Sequence, residues 1–256
     1  MSDHADQATQ AAELLLAARH DPAKRLADLP AAVKPADRPA AYAIQQKVAA
    51  RLGPIGGWKV SPFGADGAPP MCGALPASGV QSAPATLRPG AQAIRAIEAE
   101  LCARIGTDLP PRATPYTRDE IAAAITAIHP VMEACESRFV EPSAVDILTN
   151  IADTQSHGGL IYGPGRTDWQ SIDLNTVVCE QHVDGTLNAG RIGHPAGDLI
   201  AQVQWMANTG AVWAGGLKAG QYVTCGSWSG ANRVSATAHV VIKFTGFEDV
   251  VVNYAA

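Results

Sequence analysis

The run Ala96-Ile97-Glu98-Ala99-Glu100-Leu101 puts two carboxylates at alternate positions of an otherwise apolar segment, and this alternation constrains the fold more than any other feature. Residues i and i+2 of a β-strand share a face, so a strand here projects Glu98 and Glu100 together. Two like charges so placed repel each other. A divalent cation relieves the repulsion when a third carboxylate is at hand, and Glu133, within His129-Pro-Val-Met-Glu-Ala-Cys-Glu-Ser-Arg138, supplies one. Hard oxygen donors with water in the remaining positions suit Mg2+ or Mn2+ better than zinc. A half-exposed strand with a solvated acidic face has the same spacing, so the pattern alone leaves both readings open.

The chain has 256 residues, 47% apolar and 17% charged, enough to bury a sizeable core in one large domain or one and a half. Its net charge of -5, with no basic run, argues against a nucleic-acid surface and for small-molecule partners. The N-terminal Met-Ser-Asp-His-Ala-Asp-Gln is acidic where a signal peptide is basic, and no apolar run approaches the roughly twenty residues that span a bilayer. Cytoplasmic residence without membrane attachment is therefore expected. Cys72, Cys102, Cys135, Cys179 and Cys225 lie far apart, fit neither a disulfide framework nor a zinc knuckle, and read as buried small hydrophobes.

Two helices are expected early, over about Asp6 to Arg19 and from Asp37, with Pro39 in the first turn of the second. Leu29 to Pro35 links them, giving a helical region over residues 1–55. From Gly56 glycine and proline punctuate short apolar runs, and residues 56–256 read as a β-rich catalytic domain. Its expected strands include Gly57–Val60, Ala96–Leu101, Asn175–Val183, Gln221–Cys225 and Ala238–Phe244. Asp184-Gly185 marks a hairpin. Helices return over Thr117–Ile128, opened by the capping box Thr117-Arg-Asp-Glu120, and over Ala196–Thr209. Helices gathered early and strands late make the fold α+β, without alternating βαβ units.

Seven segments in order then carry a family resemblance. They are Gly57-Trp-Lys-Val, Ile97-Glu-Ala-Glu, Pro130 to Arg138, Ile151-Ala-Asp-Thr-Gln-Ser-His-Gly, Gly193-His-Pro-Ala-Gly-Asp, Trp205-Met-Ala-Asn and Leu217-Lys-Ala-Gly-Gln-Tyr-Val-Thr-Cys-Gly-Ser. Their order and spacing cover nearly the whole chain, which resembles the 2-keto-4-pentenoate hydratases of the fumarylacetoacetate hydrolase superfamily. The resemblance implies a distorted β-roll with a helical N-terminal region, and Mg2+ or Mn2+ held by Glu98, Glu100 and Glu133. It implies addition of water to 2-hydroxypenta-2,4-dienoate in aromatic catabolism; related enzymes decarboxylate 2-oxo acids or cleave carbon–carbon bonds. It also implies a homo-oligomer, with association to a homologous pathway decarboxylase as a further arrangement.

The same resemblance assigns catalytic roles to Lys59 and Ser156 and a substrate contact to Ser227, with Arg138 and Asp153 as supporting partners. His157, where many relatives carry a small residue, is expected at the substrate because a histidine beside a metal pocket can act as acid or base near neutral pH. Cys225 stands where threonine is frequent in relatives, which weakens one hydrogen bond. The chemistry is coherent without the family name: a 2-oxo acid chelates a cation through its carboxylate and carbonyl, and the enolate formed by proton transfer is stabilised electrostatically. One departure bears on the reaction. Relatives carry acidic residues about where this chain reads Gly73-Ala-Leu-Pro-Ala-Ser-Gly79, which has no carboxylate. Hydration therefore stands beside two alternatives, a metal-dependent decarboxylase or tautomerase and a non-catalytic partner subunit. No phosphate-binding glycine loop, dinucleotide fingerprint or Gly-x-Ser-x-Gly elbow is present.

Overall fold

A computed structural model of the chain describes residues 2–64, 66–88 and 94–255. Its α-helices are α1 (Ser2–His20), α2 (Arg38–Leu52), α3 (Arg118–Ala124), α4 (Ile147–Ala152) and α5 (Leu199–Trp205). The strands begin with β1 (Ile55–Val60), β2 (Cys72–Pro76), β3 (Val80–Ser82), β4 (Ala85–Leu87), β5 (Ala96–Ile105), β6 (Ile125–Cys135) and β7 (His157–Tyr162). They continue with β8 (Val178–Val183), β9 (Thr186–Ile192), β10 (Tyr222–Thr224), β11 (Asn232–Arg233), β12 (His239–Phe244) and β13 (Val250–Tyr254). The α+β expectation holds.

Helix α2 starts where its sequence dictates. The Asp37 carboxylate accepts from the Ala40 amide at 2.8 Å, and Pro39 fills a first-turn position whose amide has no helical acceptor. Helices α1 and α2 pack together through Ala11, Leu15, Ile44 and Val48, and Phe139 and Ala152 complete that small core. The helical hairpin is thus anchored on the later chain. No described helix is long and apolar enough to cross a membrane.

An eight-stranded mixed sheet runs in the order β2-β1-β10-β5-β6-β7-β3, with β11 also paired to β5. A five-stranded sheet runs β4-β13-β12-β8-β9. The larger sheet curls, so that β2 at one edge approaches β7 near the other. Strand alternation gives its two faces different characters. Ile97, Ala99, Leu101, Ala103 and Ile105 of β5, with Ile128 and Met132 of β6, enter the main hydrophobic core. Each large apolar side chain removed from water there contributes about 1.5–3 kcal/mol. The opposite face carries a smaller apolar cluster of Leu75, Cys102, Val131, Leu160 and Tyr222, and beside it the carboxylates.

The structure corrects several expected boundaries. The Thr117 capping box is present, with Glu120 reciprocating, but the helix ends at Ala124 and the chain runs straight into β6. Ile125, Thr126, Ile128 and Val131 are β-branched, and antiparallel pairing along β5 outweighs the helical signal. The helix expected from Ala196 starts at Leu199, where the Asp198 carboxylate caps the Ala201 amide, and its last residues, Met206–Gly210, widen into a π-turn. The strand expected from Asn175 starts at Val178, because Asn175 and Thr176 close a turn on Asp173. Asp184 and Gly185, both at positive φ, form the hairpin between β8 and β9 as expected.

Candidate metal centre

Glu98 and Glu133 are register partners across β5 and β6, and Cys135 lies two residues along the same face. One ligand atom from each of Glu98, Glu133 and Cys135 falls within 4.8 Å of the others. Glu133 is wholly buried and its Oε2 has no partner. Lys59, from β1, brings Nζ to 2.9 Å from Glu133 Oε1 and 3.7 Å from Glu98 Oε2. His157 Nδ1 lies 3.1 Å from Glu133 Oε1, and the Cys135 thiol donates to Glu98 Oε2 at 3.3 Å.

A strained turn presents His157 together with the Gln155 carbonyl. Thr154, Gln155 and Ser156 have φ of 52°, 52° and 58°, the left-handed region that costs a residue with a side chain on the order of 1–3 kcal/mol. Arg138 offsets that strain: it pairs with the Asp153 carboxylate and donates to the Asp153 carbonyl at 2.5 Å and the His157 carbonyl at 2.8 Å. Arg19 of α1 adds a second donor to the His157 carbonyl at 3.4 Å. The turn so held aims the Gln155 carbonyl at Lys59 Nζ, 3.1 Å away, and the His157 ring at Glu133. Gly73 of β2 makes room, since a β-carbon there would stand 2.9 Å from the Thr154 carbonyl oxygen and 3.2 Å from Lys59 Cγ.

The charges divide unequally among the acids. Burial pushes the Glu133 carboxyl upward, but Lys59 and the His157 hydrogen bond outweigh it and hold the group below its usual range. For Glu100 burial, then the charges of Glu133 and Glu98, outweigh Lys59 and a hydrogen bond from Thr224 and push it up to about 8. The Thr224 hydroxyl donates to Glu100 Oε2. Lys59 loses charge stability to burial and regains more from Glu133 and Glu98, so its ammonium persists through neutral pH. Burial lowers His157 to about 4, so the neutral ring donates from Nδ1 to Glu133 and leaves Nε2 buried without a partner.

Lys59, Glu98, Glu133 and His157 are thus brought together. Glu100, expected as the third ligand, lies outside the close group, turned to Thr224 one step along the ladder. The Ser156 hydroxyl accepts from Asn150 Nδ2 at 3.3 Å, inside the turn. Ser227 carries a buried hydroxyl without a partner, and the next residue's amide donates to the Ala99 carbonyl at 2.8 Å, so Ser227 stands beside β5 near the acids. Cys225 faces the main core and Thr224 faces Glu100, so the cysteine does not replace a hydroxyl at the site. The acid-free segment 73–79 is β2 and the turn after it, with Ser78 exposed. Cys135 was not anticipated, because its i+2 spacing from Glu133 shows a shared face only once this segment is known to be a strand.

No protein-family model matches the chain. It is 30% identical to 2-hydroxyhexa-2,4-dienoate hydratase of Comamonas testosteroni over 116 residues, 43% of this chain and 42% of that protein, so the match spans under half of the relative. The structure is similar to 4-oxalocrotonate decarboxylase from Pseudomonas putida G7, complexed with magnesium and adipate: TM-score 0.82, 20% identity, 98% of each chain covered. It is also similar to fumarylpyruvate hydrolase from Pseudomonas aeruginosa in complex with Mn2+ and pyruvate, with a TM-score of 0.57, 15% identity and coverage of 77% of this chain and 88% of that one. The fold is of the fumarylacetoacetate-hydrolase type shown by these neighbours, and the resemblance to hydratases is met by a hydratase among the known proteins.

Proposed function

We propose that this chain belongs to the fumarylacetoacetate hydrolase superfamily and is a divalent-cation-dependent hydratase, adding water to a 2-hydroxy-2,4-dienoate to give a 4-hydroxy-2-oxo acid in aromatic catabolism. The observation that carries the reading is the facing pair Glu98 and Glu133 with the Lys59 ammonium between strands that are not neighbours. The donor set fits a cation: two carboxylates converge, and the buried Glu133 Oε2 has an unused lone pair. Glu98 and Glu133 would hold it, with Glu100 next along the strand as the third carboxylate. When bound, Mg2+ or Mn2+ supplies Lewis-acid stabilisation of negative charge on a 2-oxo acid. The magnesium and manganese in the decarboxylase and hydrolase complexes support this choice.

The chain's own residues divide the remaining work. Lys59, held by Glu133 and the Gln155 carbonyl, attracts the substrate carboxylate and has a proton to give. Neutral His157 offers Nε2 as acceptor for a proton from water, its Nδ1 being committed to Glu133. The free Ser227 hydroxyl donates to the substrate carboxylate, and Ser156 keeps the turn in place through Asn150. The homologous hydratase supports a dienoate substrate. We place the enzyme in the cytoplasm as a homo-oligomer, with a pathway decarboxylase as a candidate partner.

A second reading has an observation in its favour. No carboxylate lies in residues 73–79, so no acid from that segment serves the incoming water. Decarboxylation or tautomerisation of a related 2-oxo acid needs no such group, and a non-catalytic partner subunit needs none either. Mass spectrometry of the products formed from fresh 2-hydroxypenta-2,4-dienoate and, separately, from a 2-oxo diacid separates these readings. Gain of one water supports hydration; conversion without gain in mass supports tautomerisation; carbon dioxide release from a 2-oxo diacid supports decarboxylation; no turnover supports the partner role.

A further inference from the structure

We propose that Cys135 is a protein ligand of this centre, joining Glu98 and Glu133, and that it biases the site towards borderline cations such as Co2+ and Zn2+. The inference rests on the metal reading of Glu98 and Glu133 and adds a donor of a different chemical kind.

The geometry singles out this thiol. Glu133 and Cys135 share a face of β6, and Cys135 Sγ is 3.3 Å from Glu98 Oε2, within the group whose ligand atoms approach to 4.8 Å. The other cysteines are engaged elsewhere. Cys72 Sγ contacts the Gly210 carbonyl, Cys225 Sγ the Val223 carbonyl, Cys102 packs into the inner apolar cluster and Cys179 into the main core. Glu100 is held by Thr224 and falls outside the close group. The three nearest donors are therefore two carboxylates and a thiol, and Glu133 Oε2 is already free of protein partners.

Donor softness then decides which cation uses which atoms. Mg2+ prefers oxygen and retains water, so with Mg2+ the thiol stays protonated and keeps its bond to Glu98. Co2+ and Zn2+ bind thiolate sulfur strongly and accept four-coordinate sites with one open position. Binding of these ions forms one metal–sulfur bond, breaks the S–H bond and releases one proton to solvent, with no change of oxidation state. Two carboxylates and a thiolate would fill three positions and leave the fourth for water or for one oxygen of a substrate.

The test is a Co2+ titration of the full-length, metal-stripped protein followed by absorbance, with calorimetric titrations of Co2+ and Mg2+ alongside. A near-ultraviolet sulfur-to-cobalt charge-transfer band growing to one equivalent is expected in the wild type, which needs no variant to fold. Cys135→Ser should lose the band and bind Co2+ more weakly by at least about 10–100-fold, the range that losses in the outer shell of a metal site typically cost, while binding Mg2+ as the wild type does. Cys102→Ser should keep the band. One equivalent of Co2+ bound without the band, or a band that survives in Cys135→Ser, overturns the assignment and leaves the carboxylate centre standing. Failure of Mg2+ and Co2+ alike to bind overturns the metal reading and this inference with it.

Discussion

Lys59 and Glu133 belong to strands separated by two others in the sheet, yet Nζ and Oε1 stand 2.9 Å apart. Neighbouring strands lie about 4.8 Å apart, so a flat sheet would hold β1 and β6 too far apart for this contact. The curl of the sheet closes the distance, and the candidate centre exists because of it. Glu133 is buried and Lys59 only 12% exposed at the side chain, so the pair exchanges charge compensation in a region of weak screening.

Removing that compensation should be costly. Lys59→Met leaves Glu98, Glu133 and Glu100 without a nearby cation and is expected to destabilise the metal-stripped protein by about 3–5 kcal/mol. Millimolar Mg2+ should restore part of the loss. Urea denaturation of wild type and variant, with and without Mg2+, reads both effects; equal stability of the two stripped proteins would count against the pairing.

Gly73→Ala probes the wall behind Lys59. The added β-carbon meets a backbone oxygen at 2.9 Å, which cannot move without disturbing the Thr154–Ser156 turn. Activity is expected to fall by about 100-fold, the order that a displacement of about 1 Å at an active site can cost. Steady-state kinetics on the dienoate, with circular dichroism to confirm folding, would check it; unchanged turnover would show that the turn has slack.

Asp153→Asn weakens the buried pair that secures the turn. Arg138 would keep its carbonyl contacts but lose its counter-charge, at an expected cost of about 3–5 kcal/mol. Thermal or urea melts measure this directly. A loss below about 1 kcal/mol, the range of exposed pairs, would mean the pair is not desolvated as the structure has it.

Much of this arrangement could be read from the chain before folding, and the failures have physical causes. The Glu98/Glu100 alternation, the α2 cap at Asp37 and the Asp184-Gly185 hairpin are local signals, and each appears in the structure. The Thr117–Ile128 helix was overrun because pairing with β5, a long-range interaction, decides the state of Ile125 onward. Cys135 went unnoticed for the same reason, since its face depends on that pairing. The motif places Glu133 among the expected ligands, but its contact with Lys59 depends on sheet curvature, which no short stretch of sequence encodes.

Acid stability should carry the signature of His194. Burial lowers its ring to about 4 from an unfolded value near 6.5, and its Nδ1 accepts from the Ala196 amide at 3.2 Å, which requires a neutral ring. Between those values the unfolded chain binds a proton that the folded chain refuses, so stability falls as pH drops from 6.5 towards 4. The histidine's share approaches about 1.4 kcal/mol per pH unit. His194→Gln should flatten that slope in urea melts taken across this window; parallel slopes would place the loss elsewhere.

The central claim is that Glu98 and Glu133 hold a divalent cation needed for chemistry on a dienoate. The most direct measurement follows the ultraviolet absorbance of fresh 2-hydroxypenta-2,4-dienoate with metal-stripped protein, before and after adding Mg2+ or Mn2+, using Glu133→Gln as the comparison. The account predicts loss of the dienol that starts only on metal addition and is absent in the variant. Equal rates with and without metal, or turnover retained in Glu133→Gln, would contradict it.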